Sequence, residues 1–213
     1  MIAYLVVALA AYLLGSIPTG YLVGLAKGVD IRTVGSGNIG ATNVFRFLGK
    51  PAGIFVLLMD ALKGWFAVRI VALWLAARLL PAEAVEESGE VAAILAALFA
   101  VLGHNYTCWL KFKGGKGIAT SAGVYLALAP LAVGIALATW IIVFLLTRYV
   151  SVASIAAAVA LPVAVWFTSH SLLLGIVTTA LGALAIYKHR TNIQRLLAGT
   201  EHRFNFKRKG KTT

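Results

Sequence analysis

The chain has 213 residues, 61% of them hydrophobic and 12% charged, with a mean hydropathy of +0.90. A water-soluble domain is roughly half apolar and a quarter charged, so that class is excluded and a lipid bilayer is indicated as the solvent. The formal net charge of +12 would suit nucleic acid, but the basic residues sit between apolar runs and in the C-terminal region, which argues against a nucleic-acid partner. Cys108 is the only cysteine, so there is no internal disulfide and no cysteine-based metal cluster. No polar linker divides the chain, and residues 1–213 read as one domain.

A helix needs about 20 apolar residues to cross the hydrocarbon core. The first run, Ile2–Ala26, lacks the basic start of a signal peptide and continues past Gly15 and Pro18. It reads as a retained first span. The loop that follows carries Gly35-Ser-Gly-Asn-Ile-Gly-Ala-Thr-Asn43 and, beyond it, Arg46. It offers hydroxyls at Ser36 and Thr42, amides at Asn38 and Asn43, flexible glycines including Gly37 and Gly40, and a guanidinium that can hold a phosphate through two parallel bonds. A helix starting near Thr42 would add N–H groups and a dipole that favour an anion. Simple helix capping by turn residues would need fewer polar groups than this.

The second run, Gly53–Leu80, contains Asp60 and Lys63. Three residues apart, they share a helix face and can pair, as structural support or as part of a site. Arg69 has no partner visible in the sequence. The stretch Pro81–Glu90 carries Glu83, Glu86, Glu87 and Glu90 and no Lys or Arg. The third run, Val91–Leu110, includes His104 and Asn105; a lone histidine there suits an interface as well as a site.

The next loop packs three lysines and three glycines into Lys111–Gly117. Glycine frees backbone N–H groups to surround an anion and lysine supplies the countercharge, so Lys113, Gly114, Gly115, Lys116 and Gly117 read as a phosphate grip beside a bilayer. It is not a Walker A loop, since residue 110 is Leu and residue 117 is Gly. A lysine cluster for lipid headgroups would not need the glycines.

Ile118 to Leu146 spans 29 residues, long for one crossing and short for two. Lys and Arg collect in cytoplasmic loops, and only a hairpin turning near Pro130 puts Arg148 and the basic tail 188–213 on the same side as the lysine loop. The expectation is an all-α integral membrane protein of about seven segments: Ile2–Ala26, Gly53–Leu80, Val91–Leu110, Ile118–Ala129, Leu131–Leu146, Val152–Thr168 and Leu172–Tyr187. Its N-terminus lies outside, its C-terminus and glycine-rich loops inside, and 16 of its 19 basic residues are cytoplasmic. The tail opens with Lys188-His-Arg-Thr-Asn192, in which His189 and Asn192 share a face if helical, and it continues to Glu201, which reads as a brace for basic residues.

No His is followed five residues later by Asp, and G-x-S-x-G and H-E-x-x-H are missing. The chain therefore shows no familiar nucleophile and no metal site, and no cofactor is expected.

Together the motifs GSGNIGATN (35–43), GHNYTCWLKFKGGKGIAT (103–120) and HRTNIQRLLAGTE (189–201) resemble the bacterial acyl-phosphate:glycerol-3-phosphate acyltransferase family. Asp60-Ala-Leu-Lys-Gly64 and Tyr149-Val-Ser151 also look like family features. The resemblance implies acyl transfer from fatty acyl phosphate to the 1-hydroxyl of glycerol 3-phosphate, at the bacterial inner membrane, with lysophosphatidic acid and orthophosphate as products. It implies Ser36, Arg46, His189 and Asn192 as catalytic. It implies Gly37, Asn38, Gly40, Thr42, Asn43, His104, Lys113, Gly114, Gly115, Lys116, Gly117 and Ser151 as substrate-binding, and Asp60, Lys63 and Glu201 as support. The runner-up, a transporter of a phosphorylated anion, would want basic residues through the bilayer and repeated halves, and neither is visible.

Overall fold

The computed structural model describes residues 1–79 and 82–205, with residues 82–88 described by backbone only. The side chains of Glu83, Glu86 and Glu87 and the basic residues beyond 205, on which part of the charge argument rests, lie outside the described residues.

The described residues form helices and no strands. Four helical segments are long and apolar enough to cross a bilayer, and a fifth qualifies if a bent pair near the C-terminal end counts as one. The first run is broken: α1 (Ile2–Ser16) and α2 (Thr19–Ala26) part at Ile17-Pro18, where proline removes an N–H. The break leaves carbonyls open. Ser16 O accepts from the Thr107 hydroxyl at 2.5 Å, and Ile17 O accepts from the Lys63 ammonium at 2.8 Å. A short α3 (Ala41–Leu48) follows the first loop.

The second run is helical throughout 50–79 but not uniform. It comprises α4 (Lys50–Phe66), a π-helical turn (Ala67–Ala72) and α5 (Leu73–Leu79). Arg69 lies exposed on the π turn. The third run is built of α6 (Ala82–Asn105) and a short 3-10 turn (Cys108–Leu110), and its apolar stretch Gly89–Leu110 is long enough to span a bilayer. Then come α7 (Ile118–Leu128), α8 (Pro130–Thr147), α9 (Val150–Thr168), α10 (Leu172–Lys188) and α11 (Arg190–Leu197). The expected break near Pro130 falls at Ala129, with Pro130 opening α8 where a missing N–H costs nothing. At 11 residues α7 is about 16 Å long, half of a ~30 Å hydrocarbon core.

The interior is built of small residues. Ala11, Ala67, Ala72, Ala96, Ala97 and Ala100 are buried, while Leu, Ile and Phe side chains crowd the exposed surface. In lipid this inversion is sound: the large side chains face acyl chains and the small ones let helices approach closely. A Cβ on Gly15 would strike the Ala100 backbone, and one on Gly103 the Tyr12 carbonyl, so α1 and α6 meet backbone to backbone. Gly64 and Gly123 do the same for α4 and α7. Against this apolar interior, buried polar side chains gather around a single cavity: Asn43, Asp60, His104, Ser151, His189 and Asn192.

Candidate active site

The first loop is folded by its own polar groups. Asn43 is buried and its amide is fully engaged: Oδ1 accepts from Ser36 N–H at 3.1 Å, and Nδ2 donates to the Ile31 and Val34 carbonyls. Gly35 and Gly37 adopt φ of 59° and 67°, which a side chain would resist. Asn38 Oδ1 accepts from Gly40 N–H at 2.8 Å. The result aims Ser36, the start of α3 at Gly40–Thr42, and Arg46 one turn further on, into a cavity of about 290 Å³. Arg46 is half-buried and makes no ion pair among the described residues.

The second loop departs from the expected grip. The N–H groups of Gly114 and Gly115 donate to the Asn105 and His104 carbonyls, at 3.2 and 3.0 Å. They cap the orphan carbonyls at the end of α6 and are not free for an anion. Gly115 is required by packing, not by dihedral: a Cβ there would run into the His104 ring. The glycine with positive φ is Gly117, at 83°, directly before α7. Lys113 is exposed and away from the cavity, as are the left-handed Lys111 and Phe112. Only Lys116, Gly117 and the first residues of α7 reach the cavity wall. Burial pushes the Lys116 ammonium down to about 8, against the pull of Glu201.

Behind this wall, Asp60 and Lys63 pair as expected, 2.8 Å apart. Lys63 also donates to Ile17 O at 2.8 Å and meets His104 Nδ1 at 3.1 Å. Asp60 and His104 line the cavity; Lys63 does not.

The third loop supplies a linked chain of contacts. Lys116 Nζ donates to Asn192 Oδ1, Asn192 Nδ2 donates to Glu201 Oε1 at 2.8 Å, and Glu201 Oε2 accepts from Arg195 at 2.7 Å. Burial would raise the Glu201 carboxyl, but the bonds from Arg195, Asn192 and Ser151 outweigh it and hold it below its usual range. His189 Nδ1 donates to the Ala185 carbonyl at 2.7 Å, which leaves Nε2 as an acceptor. Burial and the neighbouring Lys116 charge push His189 down to about 4, so the ring is neutral at pH 7.

The cavity therefore brings together Ser36, Asn38, Gly40, Thr42, Asn43, Arg46, Asp60, His104, Lys116, Gly117, Ser151, His189, Asn192 and Glu201. It does not bring in Gly37, Lys63, Lys113, Gly114 or Gly115. Sequence reasoning missed Ser154 and Trp140, whose indole donates to the Ser154 hydroxyl at 3.2 Å. Ser154 lies three residues after Ser151, on the same face of α9, and that spacing was the available signal.

The cavity shares Ile118, Ala122, Leu137 and Trp140 with a second, apolar groove of similar volume between α7, α8, α9 and α10. Leu126 and Leu137, both more than half exposed, line that groove and mark its opening on the outer surface. Among the described residues, no three of His, Cys, Asp or Glu gather closely enough to hold a metal ion.

Comparison with known proteins gives the family. Residues 5–199 match the family model described as glycerol-3-phosphate acyltransferase. A protein of that name from Geotalea daltonii is 48% identical over 204 residues, covering 96% of this chain and 99% of the relative. One from Geobacter metallireducens is 52% identical over 194 residues, covering 91% and 94%. Among solved structures, PlsY (YgiH), an integral membrane glycerol 3-phosphate acyltransferase crystallised in its glycerol 3-phosphate form, is similar to this chain. Its TM-score is 0.84 at 42% identity, over 95% of this chain and 96% of that one. Its lysophosphatidic acid form gives 0.81 at 41%. The chain belongs to the glycerol-3-phosphate acyltransferase family.

Proposed function

We propose that this protein transfers a fatty acyl group from an acyl phosphate to the 1-hydroxyl of glycerol 3-phosphate, releasing orthophosphate and making lysophosphatidic acid, the first step of phospholipid synthesis. The observation that carries this reading is the shared wall between a cationic polar cavity and an apolar groove that opens on the lipid-facing surface. A phosphorylated polyol fits the first and an acyl tail the second.

The chemistry asks little of a nucleophile. An acyl phosphate is a mixed anhydride with a good leaving group, so positioning and charge stabilisation are enough. Arg46, Lys116 and the N-termini of α3 and α7 favour two phosphates in one cavity. The substrate hydroxyl oxygen attacks the acyl carbon, the bond from carbon to phosphate oxygen breaks, and one proton must leave the hydroxyl. His189 Nε2 can accept a hydrogen bond from that hydroxyl and orient it. A ring that titrates near 4 is a weaker base than a phosphate monoester titrating at about 6, so the proton ends on phosphate and His189 acts as an orienting acceptor.

The membrane arrangement in this proposal is seven segments in a bacterial cytoplasmic membrane, N-terminus outside, C-terminus and cavity on the cytoplasmic side. The distribution of Lys and Arg supports it. Purified protein given acyl phosphate and glycerol 3-phosphate is expected to release one orthophosphate per lysophosphatidic acid, without added metal or nucleotide. Equal or faster turnover with acyl coenzyme A would displace the donor assignment.

A further inference from the structure

We propose that Lys63 fixes the tautomer of His104, so that the two histidines of the cavity are locked in opposite hydrogen-bonding roles, His104 as a donor and His189 as an acceptor. This rests on the cavity being the glycerol 3-phosphate site.

An ammonium can only donate. Lys63 Nζ lies 3.1 Å from His104 Nδ1, so Nδ1 must accept and the ring proton sits on Nε2. Asp60 does not compete for a proton on Nδ1: its Oδ1 is 3.7 Å away, beyond hydrogen-bonding range, and it is paired with Lys63 at 2.8 Å. The third ammonium contact, to the Ile17 carbonyl at the proline break, holds Lys63 in place. His104 is 5% exposed, lines the cavity, and its Nε2 lies against Gly115 with no hydrogen-bond partner among the described residues. An N–H at a cavity wall with no protein partner is open to a ligand's acceptor. The partner that fits is a phosphate oxygen of glycerol 3-phosphate.

His189 is set the other way. Its Nδ1 faces the Ala185 carbonyl, which can only accept, so its proton is on Nδ1 and the Nε2 lone pair is left. One cavity thus offers a fixed donor and a fixed acceptor of the same side-chain type. A phosphorylated alcohol needs both, a donor for its phosphate oxygen and an acceptor for its hydroxyl proton. Lys63 and Asp60 are positioning residues, acting through His104.

The test reads the tautomers directly. Nitrogen-15 NMR of wild-type protein labelled at the histidine rings, with His104→Gln and His189→Gln used for assignment, is expected to show Nε2–H at His104 and Nδ1–H at His189. In Lys63→Met the His104 pattern should be lost while that of His189 persists. Kinetically, His104→Ala should raise KM for glycerol 3-phosphate roughly 10- to 100-fold, the range for a hydrogen bond to a charged group. His104→Gln keeps an N–H near the Nε2 position and should recover most of that loss. A proton on Nδ1 of wild-type His104, or an unchanged KM in a folded His104→Ala protein, would overturn the proposal. The wild-type NMR pattern is independent of turnover. A failure of acyl phosphate as donor therefore unseats the reading of the reaction and leaves this assignment standing.

Discussion

Ser151 on α9 and Glu201 beyond α11, fifty residues apart in the chain, are joined by a 3.0 Å hydrogen bond from hydroxyl to carboxylate. The same carboxylate receives Asn192 and Arg195, so one side chain ties α9, α11 and the segment after it around the cavity.

Glu201 should therefore make stability depend on acid. Its folded carboxyl is held below the ordinary value of 4.5, so its contribution is fully present above pH 4.5 and is lost as pH falls through the lower folded value. Glu201→Gln puts an amide donor against Arg195 and Asn192 and should cost about 1–3 kcal/mol at pH 7. Thermal unfolding in detergent should show wild type and variant converging as pH falls through the lowered carboxyl value. A gap that stays constant with pH would contradict this.

Arg46→Lys should lose roughly 30- to 150-fold in kcat/KM, about 2–3 kcal/mol, although the charge is kept. A planar fork fixes two phosphate oxygens in one orientation, and an ammonium does not. Turnover near wild type in a folded variant would remove Arg46 from substrate contact.

Gly115→Ala should raise KM for glycerol 3-phosphate more than KM for the acyl donor. The added Cβ would collide with the His104 ring, which lines the cavity, and not with the apolar groove. Steady-state kinetics with each substrate varied in turn decide it. A defect confined to the acyl donor would mean that His104 serves the other substrate.

The rate should be level between about pH 6 and 8 and fall outside that window. Below about 6 the phosphate monoester that takes the proton is itself protonated, and near 4 His189 also gains a proton on Nε2 and stops accepting; above 8, Lys116 loses its charge. Lys116→Arg, which stays charged, should carry the alkaline limb upward, and an unmoved limb would assign it to another group.

Single substitutions Gly37→Cys, Glu86→Cys, Lys113→Cys and Tyr149→Cys, in a Cys108→Ser background, test the topology in oriented vesicles. The first, third and fourth should react from the cytoplasmic face and Glu86→Cys from the other. Reaction of Glu86→Cys and Lys113→Cys from one side would break the charge argument.

The apolar runs were legible because hydropathy needs no partner: a stretch such as Val150–Thr168 is helical and lipid-facing on its own composition. The three polar loops stood out because charge and amides are expensive beside a bilayer. What composition could not say is which polar atom faces which. Gly115 looked like an anion binder, but its N–H belongs to the His104 carbonyl, a contact fixed by how the loop folds back on α6. Lys113 and Lys116 are alike in sequence, and only the turn at Gly117 decides that Lys116 enters the cavity. Lys63 looked like half of an ion pair. Its reach to the Ile17 carbonyl depends on the break in a different helix.

The wall common to the polar cavity and the apolar groove also sets where a product can go. A lysolipid formed across it would have its headgroup on one side and its tail on the other, already aligned as a lipid in a leaflet. Drawing the tail out through water would cost about 0.8 kcal/mol for every methylene, whereas sliding it past Leu126 and Leu137 into surrounding acyl chains costs almost none of that. For a product made as proposed, departure would be sideways, with the membrane itself as the vessel into which the protein empties.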